Sequence, residues 1–203
     1  MKANDFALVF KKSIEDYHLT DDVSQPINNI YEKNSFQFFL YQKNWIDTVQ
    51  WHYEDIIRNP TIEPIEALKI KRTIDKLNQQ RTDLVEQIDD FFYNSFDKVE
   101  KKEGALLNTE SPAWAIDRLS ILCLKIYHMQ VEVNRKEASE EHKVNCNKKL
   151  DILNQQFVDL TGAIDNLLLE YSSGTKFMKV YRQVKMYNDP SLNPVLYQVK
   201  SSK

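Results

Sequence analysis

Glycine is nearly missing from this chain: Gly104, Gly162 and Gly174 are the only three in 203 residues. Loops that cradle phosphates need clustered glycines so that backbone N–H groups can approach the ligand. Neither a P-loop nor a dinucleotide fingerprint can therefore be written here, and no G-x-S-x-G elbow is present. Long apolar runs are also absent, which excludes a membrane-spanning helix. Lys2 and Asp5 sit where the apolar stretch of a secretory leader would lie, so a cytoplasmic protein is expected. Cysteine is scarce. Cys123 and Cys146 have no C-x-x-C or zinc-site spacing, and two buried reduced thiols are expected rather than a disulfide.

Neither sign of charge dominates, since the formal net charge is −3, but its distribution is uneven. From Ser172 onward there are six Lys/Arg against one Asp, leaving 21 bases and 29 acids before it. An acidic body with a basic arm argues against a surface that coats nucleic acid, except through the arm itself.

What the chain does contain is a repeat. Asp75-Lys76-Leu77-Asn78-Gln79-Gln80 reads against Asp151-Ile152-Leu153-Asn154-Gln155-Gln156 at an offset of 76. At the same offset Trp51-His52 falls on Tyr127-His128. The periodicity predicts an all-α fold: an antiparallel four-helix bundle made from a duplicated helical hairpin, with extra N- and C-terminal helices. One domain over 1–203 is expected. Residues 1–34 form an N-terminal helix and connector, 35–98 the first hairpin, 111–171 the second, and 172–203 a basic arm.

In the first hairpin the predicted helices are 35–58 and 64–96, punctuated by Pro60 and Pro64. The seam of the second is Ile70, Ile74, Leu77, Arg81, Leu84, Ile88 and Phe91, stepping by four and three. In the second hairpin Ser111-Pro112 and Ser139 mark helix starts. A basic helix over about 175–187 is expected in the arm, before a turn-rich 188–194.

The residues that break the apolar pattern are the candidates for chemistry. Arg81 stands on a seam where its repeat partner is Phe157. A guanidinium cannot lose its charge, so burial demands an acid (Glu54, Asp55 or Asp117) or a bound anion, unless the side chain snorkels to water. His52, with Asp55 three residues on, and His128, with Glu132 four residues on, are candidate ligands for a divalent metal; two core histidines hydrogen-bonded to neighbours are the plain alternative. Asn78 and Asp83 flank Arg81 and join it and His52 as candidate ligand-binding groups. Glu86 and Asp89, with Glu54 and Asp55, are the candidate catalytic acids of an all-α pyrophosphohydrolase-like site, although the upstream Glu-x-x-Glu half of that motif is absent. An acid stripe on a long helix is otherwise a solvated face.

Several blocks carry a family likeness. They are Asn44-Trp45 with Glu54-Asp55-Ile56-Ile57-Arg58, then Lys71-Arg72-Thr73-Ile74-Asp75 through Asn78, Arg81, Asp83, Glu86 and Asp89. Ser111-Pro112-Ala113-Trp114 with Asp117, and Lys179 through Arg182 to Tyr187 and Pro190, continue it. Together they resemble the family known as domain of unknown function 4254, from about residue 40 onward. The resemblance implies a bacterial, intracellular helical protein and brings no catalytic role with it.

Three function classes follow. The first is a binding or interaction module with a polar anion or metal site in the first hairpin, its partner a small anionic ligand or another protein. The second is a metal-dependent nucleotide or phosphate-ester hydrolase. The third is a structural bundle that forms homo-oligomers and takes no ligand.

Overall fold

A computed structural model describes residues 1–182, 186 and 189–200. The chain is mainly helical. Helix α1 spans Ala3–Tyr17, α2 Phe36–Ile57, α3 Pro64–Phe96, α4 Pro112–Asn134, α5 Glu140–Ser172 and α6 Pro194–Lys200. Two short strands, β1 (Leu106–Leu107) and β2 (Lys176–Phe177), pair in parallel. Among the described residues no helix is long and apolar enough to cross a membrane.

The helix ends follow local chemistry. Ser35 accepts from the Phe38 N–H at 3.1 Å, and Ser139 accepts from the His142 N–H at 3.2 Å. Pro64 and Pro112 open α3 and α4, where a missing N–H costs nothing. Ser111 makes no side-chain cap of its own. Instead Asp89 of α3 is set against Ser111 and the Ala113 N–H. Burial pushes that carboxyl's pKa up against the opposing pull of these donors.

The helices associate through one apolar core. Phe6, Phe10, Leu40, Tyr41, Val85, Phe92, Ile116 and Leu119 are all essentially inaccessible to solvent. Phe6 meets Phe36 edge-on at 5.4 Å between centroids, and Tyr17 meets Trp45 at 5.3 Å, so α1 runs parallel to α2. Two repeat-related pairs also meet. The Asn44 amide donates to Ser120 Oγ at 2.9 Å, and the His52 and His128 rings lie 5.5 Å apart. Contact at both pairs, eight residues apart, requires α2 and α4 to run in the same direction.

The arm departs from expectation. The predicted helix over 175–187 is not formed through 182: this stretch is β2 followed by residues in neither helix nor strand, and Lys185 and Tyr187 lie outside the described residues. Gly174 explains the change of course. Its φ is +72°, and a Cβ there would sit 2.2 Å from the Glu100 carbonyl, so only glycine lets β2 turn back beside β1. Beyond the turn-rich segment, α6 is a helix that the sequence reading did not anticipate. Both thiols are free, as expected, with Cys146 buried and Cys123 partly so.

Candidate functional site

Two polar constellations stand inside this apolar frame. The first is built on one turn of α2. Lys43, Asn44, Asp47 and Thr48 are all buried, with Lys43 and Asn44 at 0 % exposure. Lys43 Nζ donates to Asp47 Oδ2 at 2.5 Å and lies 2.8 Å from Asp117 Oδ1. Arg81 holds Asp117 in a two-pronged pair, Nε to Oδ1 at 2.9 Å and Nη2 to Oδ2 at 2.5 Å. Arg81 Nε also lies 3.3 Å from Asp47 Oδ1. Ser120 donates to Asp47 Oδ2 at 2.6 Å, completing a link from α2 to α4.

Two cations thus face two carboxylates, and the network is neutral. Burial pushes Asp47 upward in pKa despite the attraction of Lys43 and Arg81. At Asp117 burial acts in the same direction, but Lys43 and Arg81 outweigh it and hold that carboxyl low. For Arg81, Asp117 overcomes the loss of solvation and raises the pKa. Of the three acids expected to partner Arg81, Asp117 does so. Glu54 instead pairs with Arg58 at 2.7 Å, and Asp55 is exposed.

The second constellation lies toward the C-terminal ends of α1, α2 and α4. His18, His52 and His128 each offer a ring nitrogen, all within 4.8 Å of one another. His18 follows the last residue of α1. Its Nδ1 lies 2.7 Å from the Ile14 carbonyl, which can only accept, so Nδ1 carries the proton and Nε2 presents a lone pair. That lone pair is 3.3 Å from His52 Nε2. His128 Nε2 is shielded from solvent and has no hydrogen-bond partner among the described residues.

Aromatic rings hold these imidazoles in place. Tyr17 stacks on His52 at 5.1 Å, Trp51 on His128 at 4.6 Å with planes 4° apart, and Tyr127 tilts over His18 at 4.3 Å. Asp21 lies beside two of the three rings. Its Oδ1 is 3.5 Å from His52 Nε2 and 4.0 Å from His18 Nε2. It adopts φ +55°, an arrangement uncommon for a residue with a side chain. Burial, followed by the neighbouring imidazoles, lowers His128 to about 4, and burial lowers His52 as well. Both are therefore neutral near pH 7, the form in which imidazole binds metals.

The sequence-derived candidates divide accordingly. His52 and His128 do come together. Asp55 and Glu132 do not join them: Glu132 is 2.9 Å from His142 Nε2 and 3.3 Å from Arg135. The residues found beside the histidine pair are His18 and Asp21, which follow the last residue of α1, where no helical spacing connects them to His52. Asn78 accepts from Gln50 at 3.1 Å, and Asp83 is exposed and accepts from Gln79 at 2.7 Å. The four candidate acids do not converge. Glu86 pairs with Arg182 at 3.4 Å, Asp89 faces the start of α4, and the three histidines form the one metal-competent cluster among the described residues. Lys43 and Asp47 were missed. Their signal was legible as a polar Lys43-Asn44/Asp47-Thr48 face on an otherwise apolar helix.

Comparison with known proteins adds family membership. No curated protein and no solved structure matches the chain. Residues 37–180 match the family described as Protein of unknown function (DUF4254), a span that takes in α2 to α5 with His52 and His128 and leaves His18 and Asp21 outside. The chain belongs to that family.

Proposed function

We propose that this protein is a metal-binding helical module, with His18, His52 and His128 as ligands to a divalent transition ion and Asp21 as a fourth. The observation that carries the reading is the convergence of three ring nitrogens, one from each histidine, within 4.8 Å, beside a solvent-shielded His128 Nε2 that has no hydrogen-bond partner among the described residues. A buried nitrogen without a partner forfeits its hydration, and a cation at the centre restores a bond to it. The spacing fits. Metal–nitrogen bonds of about 2.0–2.1 Å in a tetrahedron put neighbouring ligand atoms about 3.3–3.4 Å apart. The His18–His52 separation is already 3.3 Å, and Asp21 is a few tenths of an ångström beyond that from His52. The Ile14 carbonyl on His18 is the outer-sphere partner that fixes a ligating tautomer. An imidazole-rich set with one carboxylate suits zinc, cobalt, nickel or copper rather than magnesium or calcium.

The frame belongs to the same proposal. Helices α2 to α5 form an antiparallel four-helix bundle of two related hairpins, with α1 added alongside. The repeat at 76 residues and the meeting of Asn44 with Ser120 and of His52 with His128 support it. Free thiols at Cys123 and Cys146 accord with a cytoplasmic setting.

Cobalt(II) titration tests the metal reading. Metal-free protein takes up one ion per chain with tetrahedral ligand-field bands, and Trp51 fluorescence changes in step because its indole lies on His128. His52→Ala and His128→Ala each abolish both signals. Wild-type protein that binds no cobalt, zinc, nickel or copper, or that binds equally well after both substitutions, refutes the assignment.

A further inference from the structure

The ion network reaches the surface through Arg81, whose side chain keeps 28 % exposure. A cavity of about 690 Å³ opens between α4 and α5 and reaches Arg81 of α3. That size falls within the range of small-molecule pockets. We propose that it binds a small organic phosphate, with Arg81, Arg118 and Lys125 holding the phosphate and an apolar wall taking the organic part.

The charges on its walls are unequally committed. Asp117 is consumed by Lys43 and Arg81, and Asp159 accepts from Gln155 at 2.9 Å. Arg118 has only a loose pair with Glu110 at 3.7 Å, with both side chains more than half exposed, an interaction of little energetic consequence. Lys125 is exposed and forms no ion pair among the described residues. Arg81 spends Nε and Nη2 on the carboxylates. Its Nη1 makes no hydrogen bond among the described residues, and its side chain keeps 28 % exposure. Two N–H donors of fixed direction and two spare cations therefore meet in one cavity of an otherwise acidic body. Asp159 keeps its charge because the Gln155 amide is neutral, so the walls carry a net surplus of one positive charge, and the unused donors of Arg81, Arg118 and Lys125 match the acceptor oxygens of a phosphate monoester.

The remainder of the lining decides between a bare ion and an organic ester. Ile121, Leu122, Leu160 and Ala163 form an apolar wall, and Gln156 supplies one amide. Inorganic phosphate would leave that wall in water, whereas an ester covers it.

Thermal shift and calorimetry with phenyl phosphate provide the test, with inorganic phosphate and benzoate as comparators. Phenyl phosphate raises Tm in a saturable manner and by more than either comparator. The double variant Arg118→Ala/Lys125→Ala keeps the ligand-free Tm close to wild type, because both side chains stand outside the buried network, and loses the response. No saturable rise with wild-type protein overturns the proposal, as does an undiminished rise in the double variant. An equal response to benzoate overturns the assignment to phosphate, and an equal response to inorganic phosphate overturns the organic part. None of these outcomes depends on the metal site, whose residues the experiment leaves intact.

Discussion

Replacing Lys43 by methionine isolates the ion network from the packing around it. The two side chains are similar in length, so the change leaves no large cavity and the effect is one of charge. Lys43 Nζ sits 2.5 Å from Asp47 and 2.8 Å from Asp117, and both Lys43 and Asp47 side chains are fully removed from water. In the variant Arg81 remains bonded to Asp117 through both oxygens, and the uncompensated charge falls on Asp47, which Arg81 Nε approaches only to 3.3 Å. Breaking a buried pair by removing one partner costs about 3–5 kcal/mol. For a chain of this length that is a Tm fall of roughly 6–20 °C at neutral pH. Acidification supplies the control. Asp47 is already pushed up by burial, and the ammonium that pulled it down is gone in the variant. Its folded-state pKa then stands further above the unfolded value, so the folded variant takes up a proton first and gains stability relative to wild type as pH falls. Urea melts at pH 7 and pH 5 measure both effects, and Lys43→Met/Asp47→Leu should recover most of the loss. A Lys43→Met protein within about 1 kcal/mol of wild type at pH 7, or a deficit that does not shrink on acidification, refutes the reasoning.

Arg81→Leu should destabilise less than Lys43→Met, by about 1.5–3 kcal/mol, because water reaches the partly exposed arginine position and can solvate Asp117; chemical denaturation checks the ranking. The metal-free protein should lose stability as pH falls from 6.5 toward 4: His128 ionises at about 4 when folded and near 6.5 when unfolded, so unfolding takes up a proton across that window. A Tm–pH profile that is flat there, or that does not flatten further in His128→Gln, contradicts this account. Asp21→Gly should stabilise metal-free protein by up to about 1 kcal/mol by relieving the left-handed backbone while weakening cobalt binding in titration. Phe92→Ala removes a ring packed against Phe6 and Phe36 at zero exposure and should cost about 3–5 kcal/mol, read from the same urea melts.

The helices were legible because their evidence is local. Ser35, Pro64, Pro112 and Ser139 mark starts that any chain with those residues would respect, and the spacing of Ile70, Ile74, Leu84 and Ile88 declares a buried face. The arm was misread because its conformation is set by a contact 74 residues distant, the Glu100 carbonyl against Gly174, which overrides a helical composition. At the sites, Arg81 announced its need for an acid because a permanent charge on a seam has few solutions. Which acid answered depended on how α3 and α4 lie together. His18 and Asp21 carried no periodic signal, since a residue just past a helix end has no face to be assigned to.

That last point bears on how the three histidines come together. His52 and His128 stand 76 residues apart, as Asn44 and Ser120 do, and α2 and α4, running in the same direction, bring both pairs together. Such a pair offers a cation two nitrogens, too few to hold it. In the proposed site the third ligand comes from outside the repeat, at the end of α1: Tyr17 packs on Trp45 and stacks on His52, and this anchorage places His18 at the helix terminus and Asp21 just after it. The apolar face of α1 would dock with or without a metal, since Phe6, Phe10 and Ile14 are buried whatever lies at its end. A cation bound as proposed would then act on the final turn and the residues following it. Hydrogen exchange should report that confinement, with added zinc protecting amides of 18–25 while those of 6–14 keep their rates. Uniform protection along α1 would mean that the ion holds the whole helix, and the division of labour between oil and metal would have to be abandoned.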